Sequence, residues 1–354
     1  MNFGGGGRQL RCKSCRASLT VVPGERAIQC AQCNCVTRVP RGMRLPPSSA
    51  PVPVAPMGMG MGGFPCVRGK KRAVLIGISY AGMRRGCGEL RGPINDVKCM
   101  RQLLCQRYGF TGDCILTLTD DQKDPFRLPT KDNIRMAMNW LVQGNSYGDS
   151  LVFHFSGMGA QVADDDGDEV DGYDEAICPL DSFQRGPILD DEINEAIVRP
   201  LVHGVKLHAI VDACHSATVL DLPFLCRISR TGNWQWEDHR PLSGACKGTS
   251  GGQAVLISGY SDGKSKFSVL PDAYASVGAM THSFMKAVEC EPRGVTYGRL
   301  LTSMKAIMAN SGVGGNLPGP FGAPIRKVAN FSGVQEPTLS SSEMFDIYRK
   351  AFVL

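Results

Sequence analysis

The chain has 354 residues, 43% of them hydrophobic, and a formal net charge of +6 spread without any dense Lys/Arg run. That is enough for one large domain with its own core plus a small module, and too little concentrated charge for nucleic-acid binding to be expected. No apolar run approaches the about 20 residues of a helical membrane span. Fifteen cysteines, an odd number, follow an N-terminus, "MNFGGGGRQLRCKSC", that lacks the apolar core of a secretory signal. Reducing conditions are therefore expected: a cytoplasmic protein, with the nucleus also open to it.

Residues 8–39 contain "CKSC" and "CAQCNC". Cys12 and Cys15 are two residues apart, as are Cys30 and Cys33, with fourteen residues between the pairs. Two hairpin-borne pairs of this spacing can place four thiolates around a tetrahedral zinc ion and so close a zinc-ribbon-like module too short for a core of its own. The alternative is redox-active or merely free cysteines. Cys35 is the spare; it either replaces Cys33 as a ligand or is free, and spacing favours Cys33. Residues 40–69 are rich in Pro, Gly and Met and have neither helical nor strand period, which reads as a linker. Its "MGMGMGG" stretch is disordered by composition, with a partner-binding motif as the other reading.

From Lys70 to the last residue, 354, strands and amphipathic helices alternate. The segments "RAVLIGISY" (72–80), "DSLVFHFSG" (149–157), "KLHAIVDAC" (206–214) and "QAVLISGYS" (253–261) are short, apolar and bounded by turn residues. Helical stretches over 94–109 and 130–144 lie between them. This order predicts an α/β layered sheet with substantial parallel pairing, flanked by helices. Functional groups in such sheets collect at the carboxyl ends of strands. Two strand ends here carry suggestive chemistry, "HFSGMG" and "DACHSA". Cys214 sits where a thiol nucleophile would project into a cleft, with Asp212 two residues earlier and the Gly-bounded turn around Met158 fifty-six residues upstream. A caspase-type site places its His about 50 residues before the Cys. Against this stands the fact that free Cys is among the most buried residue types.

The segments "HFSGMGAQ…GDEVDGYDEAICPLD", "ILDDEIN" and "KLHAIVDACHSATVLDLPFL" resemble a type I metacaspase, the plant, fungal and protist relative of caspases. The N-terminal "CKSCRASL…GERAIQCAQCNCVT" resembles the zinc finger of plant lesion-simulating-disease proteins, which plant type I metacaspases carry before a Pro-rich linker. The resemblance spans nearly the whole chain. It implies a caspase-like layered sheet and a calcium-dependent cysteine endopeptidase that cuts after Arg or Lys, linked to programmed cell death and stress. By the same resemblance Cys214 is the nucleophile, and Asp96, Ser156 and Asp212 line the pocket for the basic residue. Buried carboxylates suit a guanidinium or ammonium partner; the other readings are a helix-capping Asp96 and a strand-end Asp212. Activating calcium would sit on Asp174, Asp190, Asp191 and Asp221, oxygen ligands from three loops. The run "DDDGDEVDGYDE" has no EF-hand register, and Asp164 to Asp168 read as a solvated acidic loop. Partners would be peptides or proteins bearing Arg or Lys, and proteins reached through the zinc finger and linker.

Met158 occupies the position of the family's general-base His. Three further departures accompany it: Pro93 in "GPIND" where the family has Cys, Ala217 in "CHSA" where it has Gly, and lysines in "YSDGKSKFS" where acids are common. A thiol near its ordinary pKa of about 8.5 is only a few per cent thiolate at neutral pH, and Met can neither take its proton nor protonate the leaving amine. Losing one member of such a coupled unit costs on the order of 10⁴ to 10⁶ in rate. His154 lies four residues back, about 13 Å along a strand, and His215 would point away from Cys214 on extended backbone. The expectation is a weak or inactive protease homologue, a pseudoenzyme with a regulatory role. The alternatives are an active Arg/Lys endopeptidase with a rearranged base, and a thiol-based redox role for Cys214.

Overall fold

The computed structural model describes residues 8–33, 35–44, 64, 70–83, 89–163, 172–228, 232–240, 247–260, 279–311 and 336–354. Most of the expected linker, the acidic run 164–171 and the lysine-bearing stretch after Tyr260 lie outside them.

Two short antiparallel hairpins open the chain: β1 (Gln9–Arg11) with β2 (Ser18–Thr20), and β3 (Ala27–Gln29) with β4 (Val36–Arg38). Three-residue strands are far below what holds together alone in water. Their shared core is correspondingly small, built from Cys12, Leu19, Val21, Ile28, Cys30 and Val39.

The rest is organised on one eight-stranded sheet. Its centre is β5 (Lys71–Gly77), β6 (Ile115–Thr119), β7 (Ser150–Ser156), β11 (Lys206–Asp212) and β14 (Gln253–Tyr260), all parallel, in the order β6-β5-β7-β11-β14. Antiparallel strands complete one edge: β15 (Glu336–Ser341) beside β14, then β12 (Phe224–Ile228) and β13 (Trp234–Asp238). A separate three-stranded sheet is made of β8 (Gly159–Ala163), β9 (Tyr173–Ile177) and β10 (Ile188–Leu189). The four apolar runs read from the sequence are β5, β7, β11 and β14, four of these five parallel strands, as their lack of polar alternation requires for strands covered on both faces.

Strand alternation divides the core in two. Val74, Ile76, Phe153, Phe155, Ala209 and Val211 face α2 (Lys131–Val142), whose Ile134, Met138 and Leu141 recur at helical spacing. Phe64, from within the expected linker, is buried on this same face, with Arg127 over its ring. Ala73, Leu75, Val152, Ile210 and Ile257 face α1 (Pro93–Tyr108), α5 (Ala279–Cys290) and α6 (Tyr297–Ser311). Pro93 opens α1, where its missing N–H is no loss, and Gly109 closes it at φ 70°. Two four-residue helices, α3 (Ser182–Arg185) and α4 (Asp190–Ile193), flank β10. This is the α/β layered sheet expected from the sequence.

Candidate active site

Three parallel strands end together. Gly77, Ser156 and Asp212 are register partners across β5, β7 and β11, so the Ser156 and Asp212 side chains start from neighbouring points. A Cβ on Gly77 would fall 2.5 Å from the Pro93 carbonyl oxygen. The glycine thus lets the first turn of α1 settle on the strand end and brings Asp96 over the sheet. Ser156 Oγ donates to Asp96 Oδ2 at 2.7 Å. Asp96 is not the helix cap, since Gly92 holds that position. From the far side, the Thr281 backbone N–H in the first turn of α5 donates to Asp212 Oδ2 at 2.7 Å. Such first-turn amides lack a partner within their own helix and carry the positive end of its dipole. The three residues expected to share a pocket are brought together here, with Asp96 and Asp212 both buried. Desolvation, reinforced by the Asp212 charge, raises the Asp96 pKa to about 7.

Beside this cluster the turn after β7 is tied down by its backbone. Gly157 N–H donates to the Asp212 carbonyl, and Met158 N–H donates to Tyr80 Oη at 3.0 Å. The Tyr80 hydroxyl in turn donates to the Cys178 carbonyl at 2.6 Å, while Cys178 N–H donates back to the Met158 carbonyl. Tyr80 adopts a left-handed φ of 55° to reach this place, a conformation costly for a bulky residue and characteristic of functional turns. Gly159 follows, so close to Cys214 that an added Cβ would lie 1.9 Å from the Cys214 carbonyl oxygen. The Met158 turn and the Cys214 turn are therefore in backbone contact.

Cys214 is exposed. Protein atoms nonetheless crowd its thiol, and desolvation together with the Asp212 charge raises its pKa. Neither influence is an imidazole, and both oppose formation of a thiolate. The Met158 thioether is half-buried and packs against the core. β11 ends at Asp212, two residues short of the strand read from the sequence, so strand alternation does not set the directions of Cys214 and His215. They lie instead on a turn, with His215 at φ 54° and its pKa lowered by desolvation. His154 is fully buried between strands, its Nδ1 3.0 Å from the Ile210 carbonyl, and desolvation lowers its pKa to about 4. It is a neutral core histidine.

Among the described residues the only group of three or more potential metal ligands with atoms within 4.8 Å of one another is Cys12, Cys15, Cys30 and Cys33. Sulfur separations of 3.5 Å for Cys12–Cys33 and Cys15–Cys30 approach the about 3.8 Å that four sulfurs around zinc require. The quartet is placed to hold a metal ion such as zinc, and Cys35 stands outside it.

The four aspartates expected at calcium, in β9, in α4 and in the stretch before β12, hold other partners. Asp174 and Asp191 both accept from the Arg38 guanidinium, at 2.7 and 2.8 Å. Asp221 pairs with Lys247 at 2.5 Å. Asp190 accepts the backbone N–H groups of Glu175 and Asp191, each at 2.8 Å. The donor type suits calcium, but in this arrangement these carboxylates offer it no open site.

Sequence reasoning missed Tyr80, Thr281 and Arg38. Tyr80 has no local signal beyond its place at a strand end, and Thr281 and Arg38 act on residues far away in the chain.

A thiol and a glycine turn at adjacent carboxyl ends of a parallel sheet flanked by helices define a caspase-like cysteine peptidase domain. Residues 71–223 match the family model described as "Metacaspase, peptidase C14 domain". The chain is 49% identical to metacaspase-1 of Arabidopsis thaliana over 98% of its own length and 96% of that protein's. It is 44% identical to metacaspase-3 of the same plant over 98% and 99% of the two chains, and 47% identical to metacaspase-2 over 82% and 74%. The chain belongs to the metacaspase family.

Proposed function

We propose that this chain is a metacaspase that still accepts Arg or Lys side chains but hydrolyses peptide bonds weakly or not at all, and that it acts by binding partners in cell-death and stress signalling. One juxtaposition carries the reading. The Asp96–Ser156–Asp212 cluster lies at the strand ends just before Cys214, and the turn in backbone contact with Cys214 carries Met158. Two buried carboxylates close together favour a cationic guest, because each desolvated charge is stabilised by an opposite one. The thiol, by contrast, has no imidazole acting on it among the described residues. Its raised pKa leaves even less thiolate at neutral pH than an ordinary cysteine, and no group at position 158 can protonate a leaving amine. Calcium belongs to this reading as the cation the acidic loops would take once their basic partners withdraw.

The test is cleavage of an Arg-containing peptide, with and without calcium, by the purified protein, by Cys214→Ala and by Met158→His. The expected outcome is negligible turnover in the unmodified protein and a gain of about 10² or more in Met158→His. Calcium-dependent turnover that is already high and vanishes in Cys214→Ala would overturn the proposal in favour of a working endopeptidase. Labelling of Cys214 by an Arg-directed thiol-reactive probe, competed by an arginine amide, checks the pocket separately.

A further inference from the structure

Thr281, in the first turn of α5, reaches the Asp96–Ser156–Asp212 cluster with two groups, only one of which is engaged. Its backbone N–H donates to Asp212 Oδ2 at 2.7 Å. Its side chain is fully buried, yet Oγ1 has no hydrogen-bond partner among the described residues. That hydroxyl is three covalent bonds from the nitrogen that holds Asp212, so it lies at the same cluster.

A buried hydroxyl without a partner forgoes the hydrogen bonds it makes in water, and such groups are rare in folded proteins. Within a helix the usual remedy is a bond back to the carbonyl three or four residues earlier. Ser283 follows it, donating to the Met280 carbonyl at 2.8 Å. Thr281 has no such carbonyl within α5, because the helix begins at Ala279. Packing does not call for a hydroxyl either, since valine is isosteric with threonine. The cluster therefore offers acceptor oxygens from four elements: Asp96 of α1, Ser156 of β7, Asp212 of β11 and Thr281 of α5. A guanidinium brings five N–H donors in a fixed plane, an ammonium three. The two carboxylates and Ser156 suffice for an ammonium, whereas a guanidinium has donors left over for the fourth oxygen.

We infer that Thr281 is a specificity-determining residue: its Oγ1 accepts a hydrogen bond from a bound arginine guanidinium while its amide holds Asp212 in place, which favours arginine over lysine. This rests on the functional reading above, that the cluster takes a cationic side chain, and adds which cation is preferred and which residue decides. The preference comes from one oxygen. A guanidinium gives the hydroxyl a partner that it lacks in the free protein, whereas an ammonium leaves it as it was.

Calorimetric titration of the full chain with N-acetyl-arginine amide and N-acetyl-lysine amide tests this, at about pH 7.5, above the Asp96 pKa of about 7. The proteins compared are the unmodified chain, Thr281→Val and Thr281→Ser. Valine keeps the shape and the amide and removes Oγ1; serine keeps Oγ1 and the amide and removes the methyl group. Thr281→Val is expected to bind the arginine amide at least about ten-fold more weakly, the effect of one hydrogen bond to a charged group, and the lysine amide within about two-fold of the unmodified chain. Thr281→Ser is expected to keep both affinities within about two-fold. The denaturation midpoint of Thr281→Val should not fall, because its free form loses no hydrogen bond. Arginine amide binding to Thr281→Val within about two-fold of the unmodified chain overturns the inference and leaves the cation-binding cluster standing. A loss in Thr281→Ser as large as in Thr281→Val also overturns it, since the role is then packing. So does an equal loss of both amides in Thr281→Val, since the hydroxyl then sets no preference. If the unmodified chain binds neither amide, the inference falls together with the functional reading.

Discussion

Binding of a guanidinium in the pocket should expel a proton from Asp96. Its pKa is raised from 3.8 to about 7 by desolvation and by the Asp212 charge. In the empty protein the folded state therefore holds a proton that the unfolded chain releases. Stability falls as pH rises between about 4 and 7, by roughly 4 kcal/mol in total. A guanidinium keeps its charge at every accessible pH, so its arrival favours the ionised carboxyl. Binding of N-acetyl-arginine amide should then strengthen by about 25-fold from about pH 5.5 to about pH 7.5, since the ionised fraction of a group with a pKa near 7 rises by that factor. Calorimetry in two buffers of different ionisation enthalpy would show close to one proton released at the lower pH. Asp96→Asn should bind more weakly above neutrality and lose the pH dependence. An affinity that changes less than about two-fold across this range, with heats independent of buffer, would refute the reasoning, because Asp96 would then not face the bound cation.

Gly159→Ala would drive a methyl group into the Cys214 carbonyl, with backbone on both sides and no flexible side chain to yield. A loss of about 2 kcal/mol or more is expected in chemical denaturation, together with altered alkylation of Cys214. Removing zinc should unfold the two hairpins and leave the eight-stranded sheet intact, because the hairpins share only a handful of buried side chains while the sheet has large cores on both faces. Circular dichroism should change little, whereas limited proteolysis should cut within residues 8–44; retention of the module's protection after chelation would contradict the reading.

Strands β5, β7, β11 and β14 were readable, though β6 was not, because a strand covered on both faces needs a continuous apolar run, and that is a local property. The same holds for "CKSC" and "CAQC", whose spacing alone places four sulfurs together, and for Met158, whose chemistry is visible as soon as the turn around it is identified. Strands β8, β9 and β13 were not readable, since each is short and partly exposed. Nor was β15, whose partners in β12 and β14 lie far earlier in the chain. The end of β11 was misplaced by two residues because hydrophobicity does not register where a backbone turns left-handed, as it does at His215.

The sequence by itself therefore determined the layered sheet, the cysteine quartet, the residues that could form a pocket beside Cys214, and the absence of a base at position 158. The tertiary structure decided which partners the charges take. Arg38 and Asp174 are 136 residues apart, Lys131 and Glu25 are 106, and Thr281 and Asp212 are 69. Pairings of that kind carry no periodicity and no fixed spacing. They follow from which surfaces the folded sheet brings within reach, and from the high free energy of leaving a buried charge alone once it is there.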